Sequence, residues 1–241
     1  LPLIEQVIHA DLPPAARGFS TTRAGGCSSA AFESLNLGSQ CGDQAAAVAE
    51  NRRRLAAVLP GPPHWLRQVH GARVIHLDEW KPGVEADAAW TDRPSQVAAV
   101  LTADCLPILI AEASGSCVAA VHAGWRGLAR NIIAATIDAL PARPEQLHAW
   151  IGPAIGPAHY PVGPEVVDAF AGFESAFRPR AAGQWQADLP AIAMAQLRRV
   201  GLVSIRNSAL CSFADPRFFS VRRDRETGRF GSLVWLAPGQ P

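Results

Sequence analysis

Apolar and polar positions are most regularly ordered between Val97 and Leu140, VAAVLTADCLPILIAEASGSCVAAVHAGWRGLARNIIAATIDAL. Two runs rich in β-branched residues, 106–112 (LPILIAE) and 117–124 (CVAAVHAG), flank the turn-forming Ala113-Ser114-Gly115-Ser116, which predicts a β-hairpin. With the turn centred between Ser114 and Gly115, residues face each other when their numbers sum to about 229. Cys105 then lies opposite Gly124, and His122 opposite Pro107. Leu106, Ile108, Ile110, Cys117, Ala119 and Val121 fill one face; Leu109, Val118 and Ala120 fill the other. A hairpin apolar on both faces belongs in the middle of a layered fold. After Gly127 the period changes, and Leu128, Ile132, Ile133, Ile137 and Leu140 recur at helical spacing up to Pro141.

Flanking segments follow the same reading. RGFSTTRAGG (17–26) is a short strand running into a Gly turn, followed by a polar loop to Asp43. That Asp is the expected N-cap of a helix over 44–59, stopped by Pro60. HWLRQVHGARVIHLD (64–78) reads as two strands bent at His70-Gly71. Asp87, in the loop KPGVEADAAWTDRPS, reads as a turn former with a place in a polar wall as the alternative. LHAWIG (147–152) is a strand, 153–163 a Pro/Gly-rich loop, 164–173 a short helix, and 188–202 a helix with Asp188 capping and Pro190 in its first turn. VSIRN and FFSVRRDRETGRFGSLVWLA supply the last strands, the latter turning at Glu226–Gly228; in an extended strand Arg222 and Arg223 point to opposite faces. No linker interrupts the pattern, so residues 1–241 are expected to form a single domain.

Composition narrows the class. At 49% hydrophobic and 18% charged the chain is globular, and its net charge of +1 gives no general attraction to nucleic acid or a membrane surface. No signal-peptide pattern or membrane-length apolar run is visible. The five Cys (27, 41, 105, 117, 211) are scattered without CxxC spacing, which predicts free thiols in a cytoplasmic protein.

The candidate chemistry lies at the mouth of the hairpin. Cys105 and His122 project from the same face as diagonal neighbours, roughly 7 Å apart. A thiol beside an imidazole is a nucleophile with its base, two ligands of a zinc ion, or a buried Cys near a satisfied core His. Asp104 is adjacent but alternates to the other face. Gly, Arg and Gly in HAGWRG suit close ligand approach and anion binding, which makes Arg126 a candidate contact. Arg23 and Asn36 are the groups of the 23–43 loop best suited to touch a ligand, and one of Arg222 and Arg223 is available.

The motifs STTRAGG, SLNLG, QVHG, TADC, VHAGWRG, IGPAIGP and FFSVRRD…TGR, in this order over almost the whole chain, closely resemble the laccase-domain family. It is also called the YfiH family, or multicopper polyphenol oxidoreductases in older naming. The resemblance implies an α/β (α+β) fold, a four-layer α/β/β/α sandwich with mixed sheets like the cytotoxic-necrotising-factor catalytic domain. It also implies one zinc ion held by His70 of QVHG, Cys105 of TADC and His122 of VHAGWRG, with catalysis at those three residues. Three protein ligands with one open position describe a catalytic zinc. The laccase label fits poorly, since a type-1 copper plus a trinuclear cluster needs many His, and this chain has seven with no HxH pair.

The activity implied is phosphate-dependent cleavage of adenosine, inosine, guanosine and methylthioadenosine, with adenosine deamination. Phosphate is then the co-substrate, and Arg23, Asn36, Arg126 and Arg222 are the expected substrate contacts. Some relatives are instead regarded as peptidoglycan editing factors that hydrolyse UDP-muramoyl-serine. A third reading is a zinc-stabilised binding protein without catalysis, which a fourth close ligand such as His64 or His76 would favour. On all but the last, the partners are small molecules rather than nucleic acid or membrane.

Overall fold

In the computed structural model, residues 6–237 are described. Strands Leu106–Glu112 and Val118–Ala123 pair antiparallel in the predicted register, Leu106 opposite Ala123 and Pro107 opposite His122. Glu112 closes the turn: its buried Oε2 accepts from the N–H and hydroxyl of both Ser114 and Ser116, at 2.6–3.1 Å. The hairpin is the centre of a six-stranded sheet ordered Ser204–Asn207, Leu147–Ile151, Leu106–Glu112, Val118–Ala123, Ala88–Thr91, Val74–His76. Its two outermost pairings are parallel and the rest antiparallel.

A second sheet, of five strands, runs Ile8–His9, Ala16–Ser20, Phe230–Leu236, Val97–Thr102, Pro63–His64. Leu109, Ala111, Val118 and Ala120 of the hairpin pack against Ala16, Ala98, Val100 and Val234 of this sheet. The opposite hairpin face, with Ile108, Ile110, Cys117 and Val121, packs under Ile132, Ile133 and Ile137 and under Ile192 and Leu197 of the helix Leu189–Arg199. On the outer side of the five-stranded sheet, Leu55 of the helix Ala45–Ala56 meets Phe19, Val97, Ala99 and Leu233. The layers are therefore helix, sheet, sheet, helix, in a mixed α/β arrangement. Full burial of each Leu, Ile or Phe here contributes roughly 1.5–3 kcal/mol, so the hairpin is held from both sides.

Four local expectations change. Asp43 is not the N-cap: the helix begins at Ala45 after Gln44, while the Asp43 carboxylate accepts from Ser28 Oγ at 2.6 Å and Asn36 Nδ2 at 2.9 Å. The helix after the hairpin is broken into Trp125–Ala129 and Ile132–Ala139, with Asn131 in the left-handed region at φ 60°. HWLRQVH is mostly irregular, with a strand only at Pro63–His64 and an isolated bridge from Arg67 to Glu85. Val221–Asp224 is a helical turn, because Ser220 Oγ accepts from the Arg223 N–H at 3.2 Å and turns the chain out of extension. Asp188 does cap its helix, accepting from Ala191 N–H at 2.9 Å.

Candidate metal centre

His122 ends its strand on the face of Val118 and Ala120, toward the space between the sheets, and Cys105 leads into the partner strand on the same face. His70 arrives from the irregular segment between Leu66 and Val74. The donor atoms of His70, Cys105 and His122 all lie within 4.8 Å of one another, with Cys105 Sγ 3.8 Å from His70 Nε2. The two imidazoles meet edge to face at 4.7 Å. Gly124, opposite Cys105, is required by this convergence: a Cβ there would stand 2.9 Å from Cys105 Sγ and 3.1 Å from His70 Cδ2.

One carboxylate organises the trio. Asp87 is fully buried at the head of the strand Ala88–Thr91, and its Oδ1 lies 2.8 Å from His122 Nδ1. The same carboxylate accepts from three consecutive backbone N–H groups, Val69 at 3.2 Å, His70 at 2.9 Å and Gly71 at 2.6 Å. It thus fixes the Nδ1–H tautomer of His122, turns Nε2 toward the other two donors, and holds the loop that carries His70. His70 sits at φ 56°, a conformation costing of order 1 kcal/mol or more, and its carbonyl accepts from Arg130 Nη1 at 3.1 Å. The turn role favoured for Asp87 from sequence is therefore corrected.

The protein groups alone set an ion pair. Burial pushes the Cys105 thiol up, but the adjacent His122 charge, then hydrogen bonds from His122 and His70, outweigh it and bring it down to about 6. Burial opposes protonation of His122, while the Cys105 thiolate and Asp87 raise it to about 9. A thiolate and two imidazoles are a soft, borderline donor set suited to zinc. Zinc's tetrahedral edges, about 3.3–3.6 Å for ~2.0–2.1 Å Zn–N and ~2.3 Å Zn–S bonds, need only a small contraction of these separations. Among the described residues no fourth His, Cys or carboxylate joins the cluster. His64 instead bonds the Val97 carbonyl, and His76 faces Asp78 and Asp92.

The trio opens into a cavity of about 800 Å³. Arg126 and Arg222 line it, as do Trp125 and Tyr160 beside the cluster. Arg126 lies over the Trp125 ring at 4.3 Å, and among the described residues neither arginine has a carboxylate partner within ion-pair distance. Arg223 faces away, donating to the carbonyls of Ser212, Phe213 and Phe218. Asp104, at φ 96°, spends its carboxylate on Ser212 Oγ and on the Arg222 N–H, both at 2.7 Å, and so anchors the Arg222 turn.

Two predicted contacts are not in the lining. Arg23 donates to the Glu33 carbonyl and stacks over Phe219, so its guanidinium serves the 23–43 loop. Asn36 is fully buried, bonding Gly38, Asp43 and the Arg229 N–H, and shapes the loop from within. Sequence reasoning passed over Tyr160, Arg130 and the pairing of Asp87 with His122. For the last a signal existed, since Asp87 directly precedes an apolar run that pairs with the hairpin.

Residues 17–237 match the family model described as multi-copper polyphenol oxidoreductase laccase. The chain belongs to that family. A Pseudomonas aeruginosa purine nucleoside phosphorylase, PA4543, is 46% identical over 230 residues, covering 93% of this chain and 95% of that protein. The Escherichia coli purine nucleoside phosphorylase YfiH is 42% identical over 231 residues, covering 93% and 95%. Among solved structures, Neisseria meningitidis protein NMB0706 superposes with a TM-score of 0.94 at 38% identity, over 97% of this chain and 100% of the other. Geobacillus stearothermophilus YlmD gives 0.87 at 33%, over 93% of each. The described residues hold one three-donor cluster, His70, Cys105 and His122, able to take a single metal ion.

Proposed function

We propose that this protein is a zinc-dependent purine nucleoside phosphorylase acting in the cytoplasm on adenosine, inosine, guanosine and methylthioadenosine, with adenosine deamination at the same site. The observation that carries the reading is a three-donor cluster that, among the described residues, has no fourth protein ligand and opens into a cavity beside two arginines that lack carboxylate partners. The names of the P. aeruginosa and E. coli relatives support it. Zinc bound at the trio supplies a Lewis acid that polarises substrate and activates water. His70, Cys105 and His122 hold it, Asp87 keeps His122 in the ligating tautomer, and Arg126 and Arg222 hold the phosphate. A phosphate oxygen forms the bond to the ribose C1′ as the C1′–N bond breaks; the electron pair leaves with the purine, and the phosphate's proton ends on it.

The test is metal analysis of the purified protein with a screen of the four nucleosides, with and without phosphate, for released base, ribose 1-phosphate and ammonia. One zinc per chain and phosphate-dependent base release are expected. Absence of both overturns the reading. Hydrolysis of UDP-muramoyl-serine is the second reading, favoured by two further arginines, Arg52 and Arg229, in the lining of the same cavity, which suit a longer anionic substrate. Release of serine from that substrate, with no nucleoside turnover, would establish it.

A further inference from the structure

Tyr160, the single tyrosine of the chain, closes the loop 153–163 and lines the cavity with Cys105, His122, Arg126 and Arg222. Its backbone is fixed, since its carbonyl accepts from the Ala187 N–H at 3.0 Å and the next two residues pair with the strand Trp185–Ala187. One face of the ring is taken: the Arg222 guanidinium stands 5.0 Å from the centroid while donating to the Pro161 carbonyl at 2.9 Å. Stacking a base on that face is therefore excluded, and the hydroxyl is the polar group that Tyr160 brings to the cavity lining. That hydroxyl has no hydrogen-bond partner among the described residues. Burial, then the nearby Cys105 charge, push the phenol up to about 12 against the pull of Arg222 and Arg126, so it is a donor at any working pH. The neighbouring acid, Asp104, has both oxygens engaged by Ser212 and the Arg222 N–H.

A half-buried neutral donor beside two guanidiniums that lack carboxylate partners among the described residues suits an oxyanion. We propose that the Tyr160 hydroxyl is a phosphate ligand, the third donor of an anion pocket completed by Arg126 and Arg222, and so favours phosphorolysis over hydrolysis. The proposal rests on the phosphorolytic reading above.

Tyr160→Phe keeps the ring beneath Arg222 and removes only the donor. The phosphate KM should rise about tenfold, the loss of one hydrogen bond to a charged group, with the nucleoside KM and adenosine deamination affected far less. A parallel loss of deamination, or an unchanged phosphate KM, overturns the proposal. A second measurement uses the single tyrosine: 3-fluorotyrosine incorporation gives one 19F resonance, which inorganic phosphate should shift in the zinc-loaded protein. Phosphate-dependent wild-type cleavage with an unmoved resonance overturns the proposal alone; wild-type cleavage indifferent to phosphate overturns the proposal and the reading together.

Discussion

Replacing Asp87 by Asn changes one carboxylate oxygen to an amide nitrogen and leaves the volume unchanged, yet four donors aim at that side chain. Oδ1 serves His122 Nδ1 and the His70 N–H, and Oδ2 serves the N–H groups of Val69 and Gly71. If the amide oxygen takes the first pair, its NH2 meets two backbone donors, one of them at 2.6 Å in the parent. If it takes the second pair, the NH2 donates to His122 Nδ1, and the ring proton moves to Nε2, the ligating atom. Either orientation loses two charge-assisted hydrogen bonds at about 1.5–3 kcal/mol each. Asp87→Asn should therefore lower unfolding free energy by about 3–6 kcal/mol. It should also weaken zinc affinity by about 10–100-fold, the range for a partner behind a ligand. Urea unfolding of the metal-free protein gives the first number and zinc competition against a chelator the second. Wild-type zinc affinity in a stably folded variant would refute the argument that Asp87 sets the His122 tautomer.

Arg126→Ala should weaken phosphate-dependent cleavage by about 1.5–3 kcal/mol, the value of a charge-assisted hydrogen bond, and deamination by less; equal losses would make Arg126 a structural support of the zinc site. Thiol titration of the denatured, zinc-free protein without reductant should count all five Cys, which are free in the structure. In the native protein Cys117 should resist alkylation at pH 8, because burial pushes its thiol up to about 11; rapid labelling would contradict its packing. Glu112→Ala should cost about 3 kcal/mol in urea unfolding, since four hydrogen bonds of the hairpin turn depend on one carboxylate oxygen. Burial raises that carboxyl, but the Ser114 and Ser116 donors outweigh it and hold it below the ordinary carboxylate range. A depressed acid contributes stability above its unfolded value and loses it as pH falls, so wild type should lose stability below about pH 4–5 more steeply than Glu112→Gln; identical slopes would refute the turn account.

The hairpin was legible because its period of two, its single Gly-centred turn and its two apolar faces admit one register, and that register also places Cys105 and His122 together. His70 was legible as a chain-bending position, but its convergence with the hairpin came from the motif resemblance, since nothing local ties an irregular loop to a strand end. The paired arginines were misread as extended because FFSVRR alternates acceptably; Ser220 as a cap turns the segment, and a helical turn rather than a pleat separates Arg222 in the cavity from Arg223 in the wall.

The helix break is the most instructive miss. Leu128 and Ile132 keep the four-residue spacing of an unbroken helix, so periodicity carries no trace of Asn131 at φ 60°. The break has a local consequence: Arg130, at its edge, reaches the carbonyl of His70, while Asp87 holds the N–H of the same residue. His70 is exposed and left-handed, with no regular element to support it. Its peptide groups are gripped from two sides by charged groups drawn from a helix end and a strand head. Side chains separated by 60 and 17 residues from the one they position leave no periodic signature, so the members of the trio could be named from sequence and motif resemblance while the groups that aim them could not.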